Sequence, residues 1–161
     1  TPGRGVGEFK NGSDRRIVVI NVMCRLFMEP LDDPFASIET ALSNYLLGAD
    51  AAAILIDIHG EASSEKQAMG HILDGRVSAV VGTHTHVPTS DAIVLEKGTA
   101  YITDVGMSGD YNSIIGMNKE DALNRFMYPD RKKTRLEVSS GDPTLCGVVI
   151  ETNINGKRYI L

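Results

Sequence analysis

The amino-acid sequence predicts an α/β fold, and three observations support this. Apolar runs rich in β-branched residues, typical of buried strands, occur at residues 15–23, 53–58 and 76–81. Apolar residues recur at helical spacing between these runs, at residues 34–46 and 65–73. Successive strand–helix–strand steps favour parallel pairing with right-handed crossovers.

Length and composition bound the class of protein. The 161 residues and 42% hydrophobic content fit a single domain over residues 1–161, since domains commonly hold about 100–200 residues. No apolar run approaches the ~20 residues needed to cross a bilayer, so we expect no membrane span. The net charge of −5 argues against binding of polymeric nucleic acid, which needs clustered Lys and Arg. A small phosphate substrate stays compatible, because metal ions supply positive charge locally.

The two cysteines indicate the compartment. Cys24 and Cys146 both lie in apolar stretches, so we expect small buried side chains rather than a disulfide or a zinc site. Free buried thiols are typical of a reducing environment, and we therefore predict a cytoplasmic protein.

The elements of the first half follow from local signals. Residues 1–14 are glycine-rich and polar and predict a loop with at most an edge strand. After the first central strand, Asp33 and Pro34 supply a cap and a first-turn proline for a helix. The apolar spacing of that helix runs to Leu46, and Gly48 is its expected stop.

The next elements carry weaker signals. Ser63 and Ser64 are expected to cap the second helix, and Asp74-Gly75 is expected to end it. Two short β-like runs at residues 92–95 and 100–103 predict a hairpin.

The last third predicts one helix and one hairpin. Asn118 is the expected cap of a short helix whose apolar side includes Leu123 and Phe126. Residues 145–152 and 157–161 are expected to pair across an Asn-Gly turn.

Three of the four histidines follow predicted strands directly. His59 comes at the end of the run at 53–58, while His84 and His86 come after Gly82. If the backbone stays extended past Gly82, His84 and His86 point to one side. Ligands of open α/β sheets bind at the carboxyl ends of strands, and imidazoles are common transition-metal ligands. His71 falls inside a predicted helix and is expected to lie outside this group. The alternative for His84 and His86 is that they are polar loop residues.

Five segments of the chain resemble one protein family. They are IDIHGEASSEK at 56–66, VVGTHTHV at 80–87, GTAYITDVGM at 98–107, LDDPF at 31–35 and TPGRG at 1–5. Together, in this order and spacing, they are similar to the YmdB-like bacterial metallophosphoesterases. Gly60 stands where that family more often has Ala.

The resemblance implies a function and a site. It implies a phosphodiesterase with two Fe, Mn or Zn ions and a bridging hydroxide, acting on small nucleotides such as 2′,3′-cyclic nucleotides. On this basis His59 and His84 would bind one metal ion and His86 the other. Glu61 and Asp104 are candidates to orient the imidazoles, and the alternative for these two carboxylates is that they cap loops or carry surface charge. The implied architecture is part of a four-layer α/β/β/α sandwich.

The resemblance also implies a missing part. Family members begin with further strands, which carry an Asp, a Glu-Asn pair and an Asn-His pair ahead of the segment that matches Thr1. We therefore expect this chain to be the C-terminal portion of a metallophosphoesterase domain, lacking the general acid. No catalytic proton donor can be named in it, and the chain alone is expected to be weakly active or inactive. Without the first strands, the strand at 15–23 or the one at 53–58 should lack a neighbour, which predicts a homo-oligomer.

Two other functions stay open on the residues alone. His59, His84 and His86 could form the complete ligand set of a mononuclear zinc hydrolase, since catalytic zinc has three protein ligands and one open position. A non-enzymatic interaction module that pairs through an exposed sheet edge is the second. The basic run at 131–135 predicts a solvated turn.

Overall fold

A six-stranded sheet forms the centre of the computed structural model, which describes residues 3–129, 135–152 and the backbone of 158–160. The strand order is β1-β2-β3-β4-β6-β5, with β2, β3, β4 and β6 parallel and the two outer strands antiparallel to their neighbours. The strands are β1 (Val6–Lys10), β2 (Arg16–Met23), β3 (Ala53–His59), β4 (Ala79–Thr83), β5 (Ile93–Val94) and β6 (Ala100–Ile102). The predicted mixed α/β fold and its parallel core are confirmed.

Three helices and four short strands complete the described elements. The helices are α1 (Pro34–Leu42), α2 (Ser63–Leu73) and α3 (Lys119–Met127). Two small antiparallel pairs follow: β7 (Gly109–Asp110) with β8 (Pro143–Thr144), and β9 (Ile150–Thr152) with β10 (Arg158–Ile160). The pairing of β9 with β10 and that of β5 with β6 confirm both predicted hairpins. The Asn-Gly turn itself and most of the basic run at 131–135 lie outside the described residues. None of the helices described has the length and apolar character needed to span a bilayer.

The core lies between the sheet and the helices α1 and α2. Alternate residues of β2 and β3 are fully buried, and they form one cluster with Ile38 of α1 and with Met69 and Leu73 of α2. Because side chains alternate along a strand, both helices pack on the same face of the sheet. Cys24 is buried in this cluster as a free thiol, whereas Cys146 is only partly buried, so the predicted burial holds for Cys24 alone.

The helices differ from the predicted ones in three respects, two at their ends and one in side-chain burial. Asp33 caps α1 as expected, but α1 ends at Leu42 and Leu46 is exposed, because a turn held by the Asp50 carboxylate on the Leu46 N–H replaces the last helical turn. The predicted Ser caps of α2 are wrong, since Ala62 occupies the cap without a side-chain bond. Asn118 caps α3, yet Leu123 and Phe126 are largely exposed.

The expected unpaired central strand is also a wrong prediction. Strand β1 pairs along the whole of Arg16–Ile20, and β3 lies between β2 and β4. The segment at 6–10 forms a full antiparallel strand, so it supplies the neighbour that β2 was expected to lack. A missing neighbour therefore gives no reason to expect a homo-oligomer.

Candidate functional site

The carboxyl ends of β3 and β4 bring two histidines together. His59 is the last residue of β3 and pairs in register with Thr83, the last residue of β4, and His84 comes next. His84 Nδ1 lies 3.0 Å from His59 Nε2, and the rings meet edge to face with centroids 4.8 Å apart. The parallel register places the two side chains at one edge of the sheet.

His86 is held elsewhere, because the backbone after β4 is not extended. His84 and His86 have φ angles of +117° and +66°, so the alternation expected past Gly82 is lost. His86 Nδ1 lies 2.8 Å from the carbonyl oxygen of Ile115. The ring lines a cavity of about 270 Å³ whose walls include Met107 and Met117.

On its outer side, His59 contacts a chain of polar groups. Its Nδ1 lies 3.1 Å from the Thr83 hydroxyl, which donates to Asp57 Oδ1 at 3.3 Å. The other Asp57 oxygen accepts from Asn21 Nδ2 at 2.9 Å. Asp57 lies two residues before His59, so strand alternation places both side chains on one side of β3.

Glu61 lies on the outer side of His84. Its Oε2 is 3.1 Å from His84 Nε2, and about half of the Glu61 side chain is exposed. A carboxylate there attracts the N–H of the imidazole, so the contact is of the orienting kind expected for Glu61.

Asp104 contacts no imidazole in the structure; it holds the loop that carries them. Its buried carboxylate accepts from the backbone N–H groups of Thr85 and Gly106, each at 2.9 Å, and from Lys66 Nζ at 3.2 Å. Burial raises the pKa of Asp104, but these bonds outweigh it and hold the pKa below its ordinary value. These bonds hold the backbone of the loop rather than an imidazole, and the orienting role expected for Asp104 stays a prediction.

Lys66 is the cation beneath the loop. It is fully buried, and Nζ also donates to the Thr83 carbonyl at 3.2 Å. Asp104 and Lys66 therefore hold the backbone on both sides of His84. The sequence gives no sign of this burial, because a lysine within a helical pattern is usually exposed to solvent.

Electrostatics favour a neutral His59. Burial lowers its pKa most, and the neighbouring His84 lowers it further, against the opposite effect of Asp57. A neutral imidazole is the form that binds a metal ion.

The residues at the strand ends fit part of a metal centre. The 3.0 Å between His59 Nε2 and His84 Nδ1 is the length of a hydrogen bond between two imidazoles. It is also about the spacing of two nitrogen ligands with bonds of about 2.1 Å at right angles on one six-coordinate ion. In the described ranges, however, no three His, Cys, Asp or Glu side chains form a group that could hold a metal ion. The three-histidine zinc set is thus not assembled here. His71 is exposed on α2, away from the pair.

Comparisons with known proteins agree with the fold and the motifs. The model of the family described as "YmdB-like protein" matches residues 1–160. A Bacillus subtilis protein named 2′,3′-cyclic-nucleotide 2′-phosphodiesterase is 46% identical over 99% of this chain, and a Mycoplasma pneumoniae protein named putative phosphatase/phosphodiesterase is 41% identical over 74%. The chain spans 59% and 42% of those two relatives.

Two solved structures share the fold. A crystal structure of a hypothetical protein from Thermus thermophilus superposes with a TM-score of 0.85 at 41% identity, over the whole of this chain and 63% of the other. A crystal structure of a Mycoplasma pneumoniae phosphatase superposes with a TM-score of 0.82 at 34% identity, over 99% of this chain and 55% of the other.

Proposed function

The chain belongs to the YmdB-like family, and from that premise we propose that the full-length protein is a metal-dependent phosphodiesterase of small nucleotides. The proposed substrate class is 2′,3′-cyclic nucleotides, because the Bacillus subtilis relative carries that activity in its name. The observation that carries the proposal is the imidazole pair at the ends of β3 and β4, with facing nitrogens 3.0 Å apart.

We assign His59 and His84 to one metal ion and His86 to a second. The Ile115 carbonyl can only accept, so His86 Nδ1 carries the proton and Nε2 remains as the donor nitrogen toward a metal. A backbone carbonyl on the remote nitrogen is a common arrangement for metal-binding histidines. The ions proposed are Fe, Mn or Zn, since imidazole suits all three.

When bound, two such ions supply Lewis acidity and an activated water for an in-line displacement at phosphorus. The residues of this chain orient that site: Glu61 attracts the N–H of His84, and Asp104 with Lys66 fixes the loop backbone. The cavity beside His86 is large enough for part of a small nucleotide.

The chain by itself is proposed to be a poor catalyst. Three neutral imidazoles bring no negative charge, and Glu61 is the carboxylate that reaches the pair. Two dications held close together need more carboxylates than this. The remaining ligands and the general acid are assigned to a preceding segment of the full-length protein.

The proposal extends to partners and location. The partner is a small phosphodiester, with no polymeric nucleic acid, since the net charge is −5. A cytoplasmic location completes the proposal. A homo-oligomer is not proposed, because β1 supplies the neighbour whose absence would have favoured one.

Hydrolysis by the full-length protein tests the proposed function. We expect turnover of a 2′,3′-cyclic nucleotide and of bis(p-nitrophenyl) phosphate, loss of both on chelation, and recovery with Mn²⁺. The 161-residue chain serves as the comparison and should be weakly active or inactive. Turnover that survives complete metal removal would contradict the proposal.

A further inference from the structure

We propose that Asp57 and Thr83 are positioning residues that fix the proton of His59 on Nδ1 and so expose Nε2 as a ligand. The inference rests on the proposed function, because it describes how this chain prepares one ligand of the proposed metal site. It concerns the hydrogen-bond direction along Asn21, Asp57, Thr83 and His59.

The direction of each bond follows from donor chemistry. The Asn21 amide donates to Asp57 Oδ2 at 2.9 Å, and the Thr83 hydroxyl donates to Asp57 Oδ1 at 3.3 Å. A carboxylate accepts only, and a hydroxyl has one proton to give. The Thr83 oxygen, 3.1 Å from His59 Nδ1, must then accept from that nitrogen.

A neutral imidazole has one N–H, so the proton on Nδ1 leaves a lone pair on Nε2. That lone pair faces His84 Nδ1 at 3.0 Å. Glu61 lies 3.1 Å from His84 Nε2 and favours the proton of His84 there, which leaves a second lone pair on His84 Nδ1. Two lone pairs this close repel each other unless both bind one cation, which at bonds of about 2.1 Å would sit to one side of the line that joins the nitrogens. The outer partners of both rings therefore favour cation binding.

Strand register builds this hydrogen-bonded relay of Asn21, Asp57, Thr83 and His59. Asp57 and His59 lie on one side of β3 by alternation, Asn21 of β2 pairs with Asp57, and Thr83 of β4 pairs with His59. The groups therefore lie on three hydrogen-bonded strands, the kind of rigid support that holds a ligand in place.

Replacing Asp57 with Asn should reverse the relay without changing its shape. Asn21 continues to donate to position 57, so the new amide places its oxygen toward Asn21 and its NH₂ toward Thr83. The Thr83 hydroxyl then accepts from that NH₂ and donates to His59 Nδ1. His59 must move its proton to Nε2, the nitrogen that faces His84.

The test uses full-length protein labelled with nitrogen-15 at histidine, stripped of metal and studied at about pH 8, where free imidazole is neutral. The ring-nitrogen spectrum of His59 should show Nδ1–H in the wild type and Nε2–H in Asp57→Asn. Mn²⁺ titration by calorimetry should then show affinity reduced roughly 10- to 100-fold, as for other partners of metal-bound histidines.

Three variants control the experiment. Thr83→Val removes the hydroxyl at constant shape and should leave His59 a mixture of tautomers, while Thr83→Ser should restore Nδ1–H. Asp50→Asn changes a carboxylate whose hydrogen bond, within the described part of the chain, stays in its own turn, and it should alter neither the tautomer nor the affinity.

The outcomes separate the two proposals. An unchanged His59 tautomer and unchanged Mn²⁺ affinity in folded Asp57→Asn would overturn the relay. A wild type that shows Nδ1–H and its reversal in Asp57→Asn, yet binds no Mn²⁺, would support the relay and overturn the proposed metal site.

Discussion

Gly60 is the residue at which the site meets the core. It follows His59, and a Cβ added to it would stand 2.5 Å from Cys24 Cβ and 2.6 Å from Cys24 Sγ. Cys24 is fully buried, and its pKa is raised to about 12, first by burial and then by Glu65. Cys24 is thus an uncharged packing residue that fills the space a larger side chain at 60 would need.

We expect Gly60→Ala to destabilise the protein by about 1–3 kcal/mol, the usual cost of overpacking. The sequence alone suggests no such cost, since glycine and alanine are both small. Urea unfolding measures it, with Gly12→Ala as the control, because a Cβ at Gly12 meets nothing within 4 Å. Equal stability of the two variants would show that Cys24 moves aside freely.

At the scale of elements, α2 anchors the loop after β4. Lys66 projects from α2 to the Thr83 carbonyl and to Asp104, and Asp104 in turn holds Thr85. A helix, a strand end and a loop are thereby fixed by one buried ion pair. The loop geometry at His84 depends on this pair.

Lys66→Met should lower the free energy of unfolding by about 3–5 kcal/mol, because it leaves the Asp104 charge buried and unpaired. Lys10→Met is the matched control, since the Lys10–Asp14 pair is exposed and such pairs contribute little. Thermal melts of both variants provide the measurement. Equal melting temperatures for Lys66→Met and Lys10→Met would show that Lys66 does not anchor the loop.

Acid should weaken the same anchor. The pKa of folded Asp104 lies below its ordinary value, so its stabilising effect is present above the unfolded pKa of about 3.9 and is lost as the pH falls through the folded pKa. The stability difference between wild type and Asp104→Asn should therefore be large at neutral pH and shrink below about pH 4. Melts across that range measure it, and a difference that grows in acid would contradict the assignment.

The elements show what sequence can and cannot predict. Strand runs and the capping residues Asp33 and Asn118 were predictable, because their signals are local. The turn that ends α1, the positive φ angles at His84 and His86, and the burial of Lys66 were not, since they depend on which segments become neighbours in space. Thr83 carried no signal either, because its role comes from the register of β4 against β3.

On the scale of the whole molecule, the fold positions the candidate site by parallel pairing. The carboxyl ends of β3 and β4 lie side by side, so residues 25 positions apart in sequence meet as an imidazole pair. That meeting was predictable from strand order, whereas the separate position of His86 was not. The proposed function therefore depends on the strand-end histidines as metal ligands.

The most direct measurement compares His84→Ala, His86→Ala and His71→Ala in the full-length protein. Bound metal by mass spectrometry and hydrolysis of a generic phosphodiester are determined for each variant, with circular dichroism to verify folding. His84→Ala and His86→Ala should each lose metal and nearly all activity while remaining folded, because loop histidines contribute little to the core. His71→Ala should keep both, since it is exposed on α2. Loss of metal and activity in His71→Ala, with both retained in His86→Ala, would contradict the assignment of the site.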